Sequence, residues 1–170
     1  MANIFAARRT DPTEEKISIS DRGTDALLNI LLLAGAALAQ TDHQKRLMVW
    51  LAEHDRKAGG GNGGFYLEDM PFVAESFEQD RQFMVNVVDA ASRKTGWEKL
   101  CYKPNEEHLR PMLGWFRKRF MRLKFSDIKP DAYDIWLGEM DEDDPALNGF
   151  PCCKEHGIFL SWIGCQICNS

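Results

Sequence analysis

The chain has 170 residues, 44% of them hydrophobic and 28% charged, with a formal net charge of -5. That balance belongs to an ordinary globular protein, long enough for one domain with a small appendage. It excludes a molecule whose whole surface is built to coat nucleic acid.

The start, Met1 to Lys16, carries Arg8 and Arg9 followed by Asp11, Pro12, Glu14 and Glu15, with no apolar stretch between them. This is not a secretory signal, so a cytoplasmic location is expected, where thiols stay reduced. Residues 1–20 read as a loose N-terminal arm, with a short strand near 17–19 where Ile17 and Ile19 alternate with Ser18 and Ser20. Asp21 to Thr24 is helix-start chemistry, and Leu27, Ile30, Leu31, Ala34 and Leu38 fall on one face of a first helix over 25–40. Leu28, Leu32 and Leu33 widen that face, which predicts a central, largely buried helix. The apolar run from Ala26 to Ala39 is too short to span a bilayer and has Asn29 inside it.

Thr41 followed three residues later by Gln44 is a capping box, and it predicts a second helix over about 42–57 with Leu47, Trp50, Leu51 and His54 in register. The run Gly59 to Gly64, broken only by Asn62, then reads as a loop. It lacks the Lys-Ser/Thr ending of a phosphate loop. Phe65 to Leu67 reads as a short strand. Ser76 and Gln79 form a second capping box, opening a third helix marked by Phe77, Met84, Val87, Val88 and Ala91 and stopped by Gly96. In a fourth helix, Leu109, Leu113, Phe116, Phe120 and Leu123 recur at steps of four, three, four and three, and Pro111 either kinks it or marks its start. Asp131 to Met140 reads as strand or irregular chain, and Asp141 to Gly149 as an acidic loop.

The last segment carries the sharpest chemical signal. Cys153 and His156, then Cys165 and Cys168, are two pairs of metal-ligand side chains, each separated by two residues. Such a pair grips one ion from a single tight turn, and two pairs supply the four sulfur and nitrogen ligands of a tetrahedral zinc. Gly157 and Gly164 sit beside the turns, where the backbone must curl with positive φ. Cys152 is an alternative to Cys153, and Ile158 to Ile163 would form the hairpin between the pairs. Residues 152–168 resemble the Cys-x-x-His-Gly … Cys-x-x-Cys fingers of the zinc-ribbon and treble-clef kind. The resemblance implies one structural Zn2+; with two residues after Cys168, a knuckle hairpin fits better than a full treble clef. Four protein ligands leave no open position for catalytic water.

Charge is laid out in blocks. Arg110, Arg117, Lys118, Arg119, Arg122 and Lys124 surround the apolar stripe of the fourth helix, a face that can track a phosphate backbone. Residues 131–147 follow with acids and no basic residue, and are expected to fold back and neutralise that helix. His54-Asp55 is similar to the metal-binding dipeptide of the helical HD phosphohydrolases, with His43 and Asp89 as further ligands; no nucleophile motif accompanies it.

These readings predict a mainly α (α+β) protein. Its parts are an arm at 1–20, a domain of about four helices at 21–149, and a zinc-bound β-hairpin finger at 150–170. The function expected is that of a zinc-stabilised, non-enzymatic interaction protein, a regulator or inhibitor of a protein or nucleoprotein partner. Direct nucleic-acid binding through 110–124 is one alternative, and a metal-dependent phosphohydrolase around His54-Asp55 is the other.

Overall fold

A computed structural model describes residues 2–10, 12, 15–54 and 64–170. The chain opens with a strand where an arm was expected. Strand β1 (Ala2–Phe5) pairs antiparallel with β2 (Ile17–Ser20), Ala2 opposite Ser20 and Phe5 opposite Ile17. The buried positions of β1 are Asn3 and Phe5, so its inward face mixes an amide with an aromatic ring. The Asn3 amide donates to Thr24 Oγ1 at 2.8 Å and to Asp21 Oδ1 at 3.3 Å, which satisfies it and ties the ribbon to the helix that follows.

Helix α1 (Asp21–Leu38) starts earlier than its apolar pattern, because Ser20 serves as N-cap and accepts from the Gly23 amide. Leu27 to Ala34 are all buried, as expected of a central helix, and α1 packs on α2 (Asp42–Ala52), α3 (Phe77–Ser92) and α4 (Glu106–Arg122). The Thr41–Gln44 capping box is formed in both directions at the start of α2. That helix closes at Ala52, where the His54 amide turns back to Leu51; the remainder of the expected extension to 57 lies outside the described residues. No helix among the described residues is long and apolar enough to cross a membrane.

Three local expectations need correction. Ser76 occupies the N-cap of α3 but caps nothing with its side chain: its hydroxyl donates to Asp80 Oδ2 at 2.7 Å, and the buried Asp80 is the stronger acceptor. Phe65 to Leu67 contributes only an isolated parallel bridge, Ala6 with Tyr66, before a 3-10 turn at Leu67–Asp69. Asp131 to Met140 is neither strand nor irregular chain but a fifth helix, α5 (Ala132–Gly138), anchored by the buried Trp136.

Helix α4 follows its sequence pattern closely. Leu109, Leu113, Phe116 and Phe120 are buried, and Leu123 at the C-cap completes the stripe. Asn105 caps the helix by accepting from the His108 amide, so Pro111 lies inside it rather than at its start. Both Pro111 and Glu107, whose carbonyl loses a partner there, are exposed, so water can take that bond. Phe5, Phe65 and Phe116 meet with ring centroids 5.0–5.9 Å apart, so the first strand, the segment after α2 and α4 share one aromatic core.

Candidate metal centre

The C-terminal segment is held down before any ion is considered. Ile158, Phe159 and Ile167 are buried in the common core. Phe150 stacks edge-on against Phe159 and lies beneath Lys45 and Arg46 of α2. From α1, the buried Asn29 reaches Tyr102 and Ser170. The hairpin between the ligand pairs is reduced to two isolated bridges, Cys152 with Phe159 and Ser161 with Gly164.

Two tight turns present the ligands. The Gly157 amide donates to the Cys153 carbonyl at 2.8 Å, and the Asn169 amide closes the second turn on the Cys165 carbonyl at 3.2 Å. Gly157 and Gly164 have φ of 71° and 89°, the left-handed conformation expected beside such turns. Cys153, His156, Cys165 and Cys168 are thereby brought together, with one ligand atom from each lying within 4.8 Å of all the others. Cys153 Sγ is 3.7 Å from Cys168 Sγ, and His156 Nδ1 is 3.7, 3.6 and 3.3 Å from the sulfurs of Cys153, Cys165 and Cys168. A tetrahedral ion bound at about 2.3 Å from sulfur and about 2.05 Å from nitrogen sets these edges at about 3.8 and 3.6 Å. The group therefore has the geometry to hold one metal ion through Nδ1 of the imidazole. The sulfur–sulfur separation is far beyond a disulfide, and all five cysteines are free.

Cys152 is not part of the group; its thiol turns to the Phe150 carbonyl. The choice between Cys152 and Cys153 that the spacing leaves open falls to Cys153. The geometry also makes the three thiols unequal. Burial opposes ionisation of Cys153, but the amides of His156 and Glu155 and the His156 ring outweigh it and bring the thiol down to about 6. Cys168 is pushed up to about 12, by loss of solvation at its sulfur and then by the Cys153 and Cys165 thiols beside it. Cys165 is pushed up by burial. A divalent cation at the centre would override these differences, because it stabilises all three thiolates at once.

The other candidate residues do not converge in this way. His54 Nδ1 donates to the Trp50 carbonyl at 2.7 Å and its ring stacks on Trp50, burial holding its pKa below the usual histidine value. His43 Nε2 meets the Pro71 carbonyl, and Asp89 binds Arg117. Among the described residues the cysteine–histidine group is the one able to hold an ion; Asp55 lies outside them. On α4, Arg117 pairs with Asp89, and Arg119 reaches Glu15 and lies over the Trp115 ring. Arg110, Lys118, Arg122 and Lys124 form no ion pair among the described residues. The acids of 131–147 form none with α4 either, so the expected neutralisation is not what the fold builds; Asp89 and Glu15 do that work for two of the six cations.

One group passed over in the sequence is Glu53, at the C-cap of α2. Burial pushes its carboxyl up to about 7, against the hydrogen bond it accepts from Trp136 Nε1 at 2.7 Å. Its single sequence signal is an acid at the end of an apolar helix, where the dipole disfavours it. No protein-family model, curated protein or solved structure matches this chain.

Proposed function

We propose that Cys153, His156, Cys165 and Cys168 hold one structural Zn2+, and that this is a zinc-stabilised interaction protein that regulates or inhibits a protein or nucleoprotein partner. The observation that carries the reading is the closed ligand set: every corner of the tetrahedron is a protein atom. Three soft thiolates with one imidazole favour zinc over magnesium or calcium, and a filled coordination shell keeps water off the metal. An interaction role is supported by Trp162, which is 61% exposed and stands three residues before the ligand Cys165. Tryptophan is the side chain most enriched at binding hot spots, and the clasp would hold it rigidly.

Metal analysis of the purified protein should return one zinc per chain, and cobalt substitution should give the intense visible bands of a tetrahedral thiolate site. Affinity purification after nuclease treatment should retain a stable protein partner that Trp162→Ala releases. Protein isolated without zinc would sink the metal assignment, and a partner lost to nuclease would sink the protein-interaction reading.

A second reading, direct nucleic-acid binding, is favoured by the exposed Arg110, Lys118, Arg122 and Lys124, which form no ion pair among the described residues. Four phosphate contacts predict that log K falls with log salt at a slope of about -3.6. Charge reversal at Lys118 and Arg122 should flatten that slope; an unchanged slope would exclude α4 as the contact surface.

A further inference from the structure

Away from the metal centre, a cleft of about 480 Å³ opens between the end of α2, the turn at Leu67–Asp69, α5 and the Trp162 loop. Its walls include three indoles, Trp50, Trp136 and Trp162, and three acids, Glu53, Asp69 and Glu139. The volume is that of a small-ligand site, and the lining sets indole faces among charged side chains. Glu53 is the unusual member. One carboxylate oxygen accepts from Trp136 Nε1, while the other, Oε1, is shut off from solvent and has no hydrogen-bond partner among the described residues. A buried acceptor left unmade is costly, and a soft terminal torsion allows it to turn toward a donor in the cleft.

The charges around it choose the donor. Two cations reach the cleft, but each is engaged: Lys129 is bound by Asp69 and faces Glu68, and Arg9 lies 3.8 Å from Asp69 with its guanidinium over the Tyr66 ring. What remains on the Glu53 side is an excess of acid, with Glu139 and Asp144 both close enough to disfavour its ionised form. Burial holds the His54 pKa below the usual histidine value, and its Nδ1–H is committed to the Trp50 carbonyl. An anion would meet three carboxylates and two cations already paired with Asp69, whereas an organic cation would gain the Glu53 carboxylate and the faces of the indoles.

We propose that this cleft binds an ammonium or guanidinium group, with Glu53 as its counter-ion and Trp136 and Trp162 as its aromatic walls. Glu53 and Trp136 stand apart from the metal and interaction readings above; the Trp162 wall lies in the segment that carries the metal ligands. Because the empty cleft holds the Glu53 proton up to about 7, entry of the cation must expel that proton below neutrality. Affinity therefore falls by about tenfold for each pH unit below 7 and levels above it. The groups facing Glu53 across this range are His54 on its own element, Asp69, Lys129, Glu139 and Asp144 from the packed elements, and Arg9 at the rim.

The test is an NMR titration of the full chain read at the indole N–H resonances, since Trp136 Nε1–H reports directly on Glu53. The probes are agmatine, n-butylammonium and blocked arginine and lysine amides, with inorganic phosphate as the anionic control. The expected result is saturable shifts of Trp136 and Trp162 with the cations and none with phosphate. Stronger binding of the blocked amino acids points to a protein side chain as the natural source, stronger binding of the free amines to a small metabolite, and either supports the site. Glu53→Gln should weaken binding by about tenfold or more at pH 8 and abolish its pH dependence. Trp162→Ala, at an exposed rim position, should weaken it without unfolding the protein. No saturation by about 10 mM of any cation, affinity unchanged in Glu53→Gln, or binding of phosphate in place of the cations would overturn the proposal.

Discussion

Among the described glycines, the tightest surroundings give a prediction whose sign depends on one neighbour. Gly35 lies in α1 against α2, and a methyl group placed on it would fall 1.8 Å from Met48 Sδ and 2.9 Å from Met48 Cγ. Met48 is 1% exposed, so it has nowhere to retreat. In an open helical position Gly→Ala stabilises by about 1 kcal/mol. Here the methyl overpacks the α1–α2 contact, which costs about 1–3 kcal/mol or more, so Gly35→Ala should destabilise by about 1–2 kcal/mol. Met48→Ala alone opens a cavity and should cost about 2–5 kcal/mol. In that background the added methyl fills part of the void, so Gly35→Ala should become stabilising by about 1 kcal/mol. The double-mutant cycle then has a coupling of about 2–3 kcal/mol, at the upper end of what contacting residues show. Urea denaturation of the four proteins, followed by far-ultraviolet circular dichroism, measures it. Gly35→Ala with the same sign in both backgrounds would refute the claim that Met48 dictates glycine here.

Other outcomes follow from the same structure. Removing the metal with a chelator, or replacing Cys165 by Ser, should strip hydrogen-exchange protection from 150–170 while α1–α4 keep theirs; at free zinc a thousand-fold above Kd the ion contributes about 4 kcal/mol. Acid should release the ion as protons compete for the thiolates, visible as loss of the cobalt bands. The folded-state pKa of Glu53 stands near 7 against 4.5 unfolded, so its contribution to stability is full below pH 4.5 and is lost as pH rises to 7. Glu53→Gln should therefore match wild type at pH 4.5 and exceed it by about 3 kcal/mol at pH 8 in urea melts. The Arg117–Asp89 pair is close but solvent-exposed, so Asp89→Asn should leave the urea midpoint nearly unchanged.

What the sequence made legible was the part governed by local rules. The α4 stripe, the Thr41–Gln44 box and the two ligand pairs with their glycines each write their geometry within a few residues, and each is present in the fold. The failures have a common cause in distant partners. Strand β1 hides Asn3 inward and turns Ile4 outward, an inversion that makes sense only once Thr24 is there to take the amide. Helix α5 exposes Ile135 and buries little besides Trp136, so its seven residues carry no apolar stripe to read; its place is fixed by Glu53, far away in the chain. Ser76 has the spacing of a cap, but Asp80 outcompetes the backbone for its hydroxyl. The cation-site candidate was illegible for the same reason, since its residues come from five separate stretches of chain.

Phe5 completes a core whose other walls arrive much later. It is fully buried against Phe65 and Phe116, and Glu15, just before β2, is held by Arg119. Burying this one ring thus requires β1, the segment after α2 and α4 to come together across more than a hundred positions of chain. The aromatic core is therefore a long-range assembly, of the kind that slows folding because distant segments must meet before any contact rewards them.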